Sequence, residues 1–315
     1  MLLCSIIRDV ALDIKKSNDD FKQKLLVKKL SNRISADRKQ TSISDDKLYP
    51  AFCELAAENS KLFEKLRQNP IYKTVLEHVS EYQGSELLWH IFLNEGGGKF
   101  NKENWDNFKL NDKIGSPAMY DYSKWFNNYG NVAGKQTISP TTIRYVKVLQ
   151  DIIRIFNKEK LSKIAEIGIG YGGQARIISS YIQNVNTYYL FDLPEVLKLA
   201  NKYVSAIESY SNGSTTKFVY IDGTTDFQDI DLDFVISNYA FSELTRPVQD
   251  IYLNKVILKA KKGYITWNEL SHKHFGGYSL NELLEIIPNS VVIEEKPLSY
   301  INNNIIIWGS DAEIC

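Results

Sequence analysis

The stretch KIAEIGIGYGGQ, residues 163–174, decides the fold of this chain. Its first half, Lys163 to Ile167, reads as a short strand, and glycines follow at 168, 170, 172 and 173. Glycine lets the backbone turn tightly and approach a ligand with no Cβ in the way. The residues beyond, through Ile182, read as a helix. A strand that turns through glycines into a helix aims the free N–H groups of the helix start at an anionic group. The expectation is a nucleotide-type ligand; the alternative is a tight turn without one.

Working outward, strands and helices alternate. TYYLFD (187–192) is a second strand, with Pro194 opening the next helix. TKFVYID (216–222) is a third and LDFVISN (232–238) a fourth, followed by a helix containing Val248 to Leu258. GYITWNE (263–269) is a fifth. SVVIEEKPL (290–298) and NNIIIWG (303–309) close the chain as two strands joined through the Asn-rich INNN. Alternation of this kind predicts an α/β fold with a parallel, doubly wound sheet, and the closing pair adds an antiparallel edge.

Toward the N-terminus, Pro140 starts a helix over Thr141 to Phe156 with Ile143, Val146, Leu149, Ile152 and Ile153 on one face. Residues 111–140 are rich in Gly, Asn, Pro and aromatics and have no clean period, which suits a lid or binding loop better than a solvated tether. Residues 1–110 read as a helical accessory domain: helical spacing recurs in Asp20 to Leu30, Tyr49 to Leu66 and Ile71 to Tyr82. His78 and His90 fall in this pattern and read as structural.

Composition narrows the function classes. The 315 residues carry 38 Lys plus Arg against 38 Asp plus Glu, so electrostatics gives no reason to expect a nucleic-acid binder. Cys4, Cys53 and Cys315 are far apart, which excludes a disulfide framework and zinc-finger spacing and fits a reducing compartment. No apolar run reaches membrane-spanning length, and Arg8, Asp9 and Asp13 interrupt the apolar start, so a cytoplasmic location is expected. Abundant Asn, Ile, Lys and Tyr fit an AT-rich bacterial genome.

Gly168, Gly170 and Gly173 also satisfy the GxGxxG spacing of dinucleotide enzymes, so the glycines alone do not choose the ligand. Three features favour S-adenosylmethionine. Glu166 extends the pattern to ExGxGxGG; Asp192 ends the second strand, where a carboxylate can accept both ribose hydroxyls; and no substrate domain follows the closing hairpin.

Residues 163–308 resemble a class I, Rossmann-type methyltransferase. More narrowly, GSPAMYDY (115–122), ISPTTIRYVKVL (138–149), AEIGIGYGGQ (165–174), YLFDLPEV (189–196) and SNYAFSEL (237–244) resemble the bacterial sugar O-methyltransferase family. The resemblance covers residues 111–315. It implies a strand order 3-2-1-4-5-7-6 with strand seven antiparallel. It implies a cofactor pocket shaped by Glu166, Gly168, Gly170, Tyr171, Gly172 and Gln174. Asp192 and Leu193 would meet the ribose, Asp222 and Gly223 the adenine, and Asn238 the methionine moiety. Asp222 can also be read as an Asp-Gly turn residue, and Asp192 as a helix cap. Arg144 stands on the helix before strand one, within reach of a carboxylate or in a surface ion pair.

Methyl transfer to a sugar hydroxyl needs the proton removed, and ligands in such sheets bind beyond the strand ends. The candidate bases are therefore His272, His274 and Glu269 after strand five and Glu243 after strand four, with His272 preferred as nearest the strand end among the histidines. A divalent cation held by Glu243 and Glu269 is open but not favoured, because strand four ends in Asn238 rather than Asp. Expected partners are a small-molecule or glycan acceptor and a second copy of the chain. The alternatives are methylation of another hydroxylated or amine metabolite, and a non-catalytic cofactor-binding partner of glycosyltransferases.

Overall fold

The computed structural model describes residues 140–208, 215–225, 227–296 and 302–311, together with 41–42, 50, 53–54, 57–58, 106, 108, 120–121, 137–138 and 298. Seven strands form one sheet: β1 (Lys163–Ile167), β2 (Thr187–Asp192), β3 (Lys217–Asp222), β4 (Leu232–Asn238), β5 (Ala260–Trp267), β6 (Val291–Glu294) and β7 (Asn304–Trp308). Their order is β3-β2-β1-β4-β5-β7-β6, with β7 antiparallel to both neighbours and the rest parallel. This is the Rossmann-like order that the resemblance implied.

β1 sits centrally and is covered on both faces, so KIAEI carries apolar side chains in both directions. Successive strand residues point to opposite faces. In β7, Ile305 and Ile307 join one apolar cluster, while Ile306 and Trp308 join the other. The first cluster is completed by α1 (Pro140–Ile155), α2 (Gly173–Tyr181) and α3 (Pro194–Glu208). α1 supplies Ile143, Val146, Leu149 and Ile152, the apolar face read from sequence, and Phe108 packs in the same cluster.

The second cluster lies under α4 (Ala240–Glu243), α5 (Arg246–Lys255) and α7 (Leu280–Ile286), through Phe241, Tyr252, Leu253 and Leu283, while α6 (Leu270–Phe275) contributes none of its described side chains to it. Pro194 and Pro247 sit at helix starts, where the missing N–H costs nothing. α7 opens with a capping box: Ser279 and Glu282 satisfy each other's backbone amides.

Two expectations change. The fifth strand ends at Trp267 rather than Glu269, and a helix, α6, follows it and carries both His272 and His274. The helix containing Val248 gives way after Lys255, and a 3₁₀ turn, Ile257–Lys259, leads into β5. Within 111–140, Tyr120–Asp121 pairs antiparallel with Thr137–Ile138, and the intervening stretch lies outside the described residues. Pro50, Cys53, Glu54, Ala57, Glu58, Asp106 and Phe108 are helical. His78, His90 and the helices expected over 20–30 and 71–82 lie outside the described residues. Among the described residues no helix is long and apolar enough to cross a membrane.

Candidate active site

The chain folds away from β1 on one side into β2 and β3 and on the other into β4 and β5, so a crevice opens beyond the strand ends where the order reverses. A cavity of about 860 Å³, measured out to its mouth, lies there. It is bounded by the ends of β1, β2 and β4, by α4 and by α5.

Gly168 begins the turn at φ +76°, a left-handed conformation that favours glycine. A Cβ there would stand 1.9 Å from Ala240 Cβ, so only glycine lets α4 close on the turn. Gly168 N–H donates to Phe191 carbonyl (2.8 Å), which ties the turn to β2. The Asp192 carboxylate holds the turn from the other side. It accepts from Gly170 N–H at 3.1 Å and from Leu193 N–H at 2.8 Å, using one oxygen for each. A carboxylate oxygen has two acceptor positions, so these bonds orient Asp192 and leave capacity for hydroxyl donors. Phe191, Leu193, Val248 and Tyr252 give this end of the cavity an apolar lining.

At the other end stand Asn238, Tyr239 and Glu243. Asn238 is supported from below: its amide donates to Gln174 Oε1 (3.4 Å), and Gln174 donates to Tyr145 carbonyl (3.1 Å). Tyr239 has φ +65°, an uncommon conformation for a residue with a side chain. It is fixed by its N–H to Thr266 carbonyl, its hydroxyl to Glu295 and the Arg144 guanidinium 4.5 Å from its ring centre. Ser237 is fully buried; its hydroxyl donates to Ile167 carbonyl and accepts from Phe241 N–H, locking α4 onto β1. α4 thereby points Glu243 into the cavity, where Asn268 donates to its Oε1 (3.2 Å).

The structure thus gathers Gly168, Asp192, Leu193, Gly223, Asn238 and Glu243 around one cavity. The remaining sequence candidates stand elsewhere. Glu166 is buried beneath the turn, where its carboxylate accepts from Tyr188 hydroxyl (2.8 Å). Burial, reinforced by the nearby Asp192 charge and opposed by the Tyr188 bond, pushes its pKa up to about 8. Gly170 borders the turn, and Gly172 starts α2 with φ +91°. Tyr171 is packed edge-on against Tyr203, and Gln174 is buried under Asn238. Asp222 folds back on its own turn, accepting from both N–H and hydroxyl of Thr224, while Gly223 and Thr224 face the cavity. Arg144 is buried, 4.0 Å from Glu295, rather than in a surface pair.

The strand-five candidates also lie away from the cavity wall. His272 and His274 are exposed on α6, and His272 Nδ1 lies 2.9 Å from Gly277 carbonyl. Glu269 accepts from Trp267 Nε1 and from Leu280 N–H, both at 3.1 Å, and so anchors the start of α7. Among the described residues no group of three or more His, Cys, Asp or Glu is arranged to hold a metal ion.

Sequence reading missed Tyr252, Val248, Thr41 and Ser42, all in the cavity lining. Tyr252 and Val248 sit in the apolar pattern of α5 and carry no mark separating them from core residues. Thr41 and Ser42 are brought in from far along the chain.

No family model matches the chain, and no curated protein is significantly similar to it. Among solved structures, it is similar to the mitomycin 7-O-methyltransferase MmcR, with 11% identity over 78% of this chain and 74% of that one and a TM-score of 0.41. The methyltransferase domain of bacterial CtHen1-CN gives 9% identity, 51% and 95% coverage, and a TM-score of 0.39. The magnesium protoporphyrin IX methyltransferase ChlM from Synechocystis PCC 6803 with bound SAH gives 11%, 59% and 92%, and 0.38.

Proposed function

We propose that this chain is an S-adenosylmethionine-dependent O-methyltransferase and that its acceptor is a sugar hydroxyl. One observation carries the cofactor reading: Gly168, the Asp192 carboxylate and Asn238 converge on a single cavity at the point where the sheet order reverses. The residues fit the group. The apolar end, between Phe191, Val248 and Tyr252, suits a planar base, and the oriented Asp192 suits the two hydroxyls of a ribose. Asn238, held by Gln174, presents a polar group to an amino acid moiety. When bound, the cofactor supplies an electrophilic methyl group.

Glu243 is the base in this reading. It is the sequence-candidate base that reaches the cavity, and Asn268 fixes one of its oxygens. Its carboxylate takes the proton from the acceptor hydroxyl, which must come within about 2.6–3.2 Å or one water of it. Tyr239 and the α4 backbone fix where that carboxylate stands. The sugar acceptor rests on the family resemblance of the sequence segments. S-adenosylmethionine with a labelled methyl group, offered with a panel of sugars, nucleotide sugars and polysaccharides, tests the reaction. Transfer is expected to one of them, with Glu243→Gln reducing the rate about 10²–10⁴-fold and His272→Ala leaving it nearly unchanged. Strong loss in His272→Ala with full activity in Glu243→Gln would return the role to α6.

A further inference from the structure

Tyr252 gives the cavity more than an apolar wall. Its ring is set in the second core cluster, edge-on to Phe191 with centres 5.7 Å apart and against Phe227 at 6.1 Å, so α5 holds its hydroxyl at a fixed point. That point is the end of β3. A Cβ on Gly223 would stand 1.7 Å from the hydroxyl oxygen, and Gly223 is not among the glycines with positive φ. The hydroxyl, and not the turn, therefore requires glycine there. Asp192 and Asp222 stand opposite each other in the register of β2 and β3, near enough for both charges to act on the hydroxyl.

Tyr252 is 3% exposed and lines the cavity, and among the described residues its hydroxyl forms no hydrogen bond. A phenylalanine would fill the same place in the cluster without leaving a buried hydroxyl unsatisfied, which is costly. Burial, with the charges of Asp192 and Asp222, pushes its pKa up, so the hydroxyl keeps its proton and can donate. The two carboxylates only accept. Ligand hydroxyls and amines suit them, and Tyr252 adds a donor beside them for a ligand acceptor.

We propose that the Tyr252 hydroxyl reads the purine of the ligand by donating a hydrogen bond to an acceptor nitrogen of its ring. This deepens the S-adenosylmethionine reading and rests on it for the identity of the nucleoside. Adenine carries ring nitrogens that accept and an amine that donates, so carboxylates alone match only part of its edge. An aromatic wall takes any flat ring, whereas a fixed donor selects one with a nitrogen facing it. The packed ring and the space left by Gly223 set that donor before the ligand arrives, so little ordering remains to oppose binding.

Calorimetry of the full-length protein tests this without turnover. The probes are S-adenosylhomocysteine and its 1-deaza, 3-deaza and 7-deaza analogues, each lacking a different ring nitrogen. Tyr252→Phe is expected to lower affinity for S-adenosylhomocysteine about three- to ten-fold, the worth of one neutral hydrogen bond. The analogue without the contacted nitrogen should bind the wild type correspondingly weakly and be indifferent to the substitution. The other two should lose affinity as S-adenosylhomocysteine does. Without ligand, Tyr252→Phe should unfold at the same or a higher urea concentration, because the hydroxyl has no bond in the protein to lose.

Equal affinity of the wild type and Tyr252→Phe for S-adenosylhomocysteine overturns the proposal. So does an equal loss for all four ligands, which puts the contact on the ribose or in the fold. Loss of stability in the unliganded variant overturns it as well, since the hydroxyl would then be bonded within the protein. Adenosine separates this proposal from the reading beneath it. A wild type that binds adenosine with the same dependence on Tyr252, but does not bind S-adenosylhomocysteine, overturns the methyltransferase reading and leaves the purine contact standing. A wild type that binds neither overturns both.

Discussion

Glu166 is the residue whose chemistry departs furthest from what its position in the sequence suggests. It belongs to the ExGxGxGG pattern, yet its carboxyl is buried under the turn and bonded to Tyr188. With its pKa raised to about 8, it stays protonated in the folded protein between roughly pH 4.5 and 8 while the unfolded chain ionises. The folded state then binds more protons, so stability is lost as pH rises through that window. The slope is about 1.4 kcal/mol per pH unit for one proton. Urea unfolding across pH should show this loss in the native protein, and Glu166→Gln should lack it, so that the variant gains relative stability toward pH 8. Parallel curves for the two proteins would mean that Glu166 ionises freely. The sequence displayed this residue clearly, but its role beneath the turn comes from the register of β1 against β2, which sets Glu166 opposite Leu190, within reach of Tyr188. Asp222 shows the same limit, since an Asp-Gly pair after a strand reads equally as ligand or turn, and the Thr224 contacts decide for the turn.

At the scale of elements, the glycine turn and the short helix α4 form one device. Gly168 and Gly170 both have positive φ, at +76° and +54°, but only Gly168 is pressed against a neighbour. Gly170→Ala meets nothing within 4 Å, so it should cost only the left-handed backbone penalty of about 1–2 kcal/mol. Gly168→Ala adds a collision with Ala240, an overpacking cost of about 1–3 kcal/mol more, and displaces the helix that carries Glu243. Denaturant unfolding should therefore rank Gly168→Ala well below Gly170→Ala; equal losses would mean that α4 moves freely against the turn. The turn was legible because glycine spacing after a strand has few readings. The shape of the segment after β5 was not. Leu270 to Phe275 is less than two turns of helix, too brief to show a period, and it carries both histidines exposed and outside the cavity lining. Helix α4 was equally hidden, because it depends on Ser237 bonding back to β1 and on an unusual Tyr239 backbone, both long-range consequences.

Across the whole molecule, a parallel sheet with an antiparallel closing edge was legible because alternation of strands and helices leaves few ways to cover both faces of a sheet, whereas the strand order came from the family resemblance of the sequence segments. What sequence could not show was how the N-terminal part of the chain meets that sheet. We propose that residues 1–110 act as an accessory domain to the methyltransferase domain of 111–315. Phe108 packs in the core cluster beside the sheet, and Glu54 pairs with Lys198 of α3. The central claim, that this assembly is built around S-adenosylmethionine, is tested most directly by calorimetry of the full-length protein with S-adenosylhomocysteine and, separately, with NADH. Binding of S-adenosylhomocysteine at one site per chain is predicted, with Asp192→Asn losing about 1.5–3 kcal/mol through weakened charged hydrogen bonds to the ribose. NADH should give no heat. Tight NADH binding that depends on Asp192, with no response to S-adenosylhomocysteine, would contradict the account.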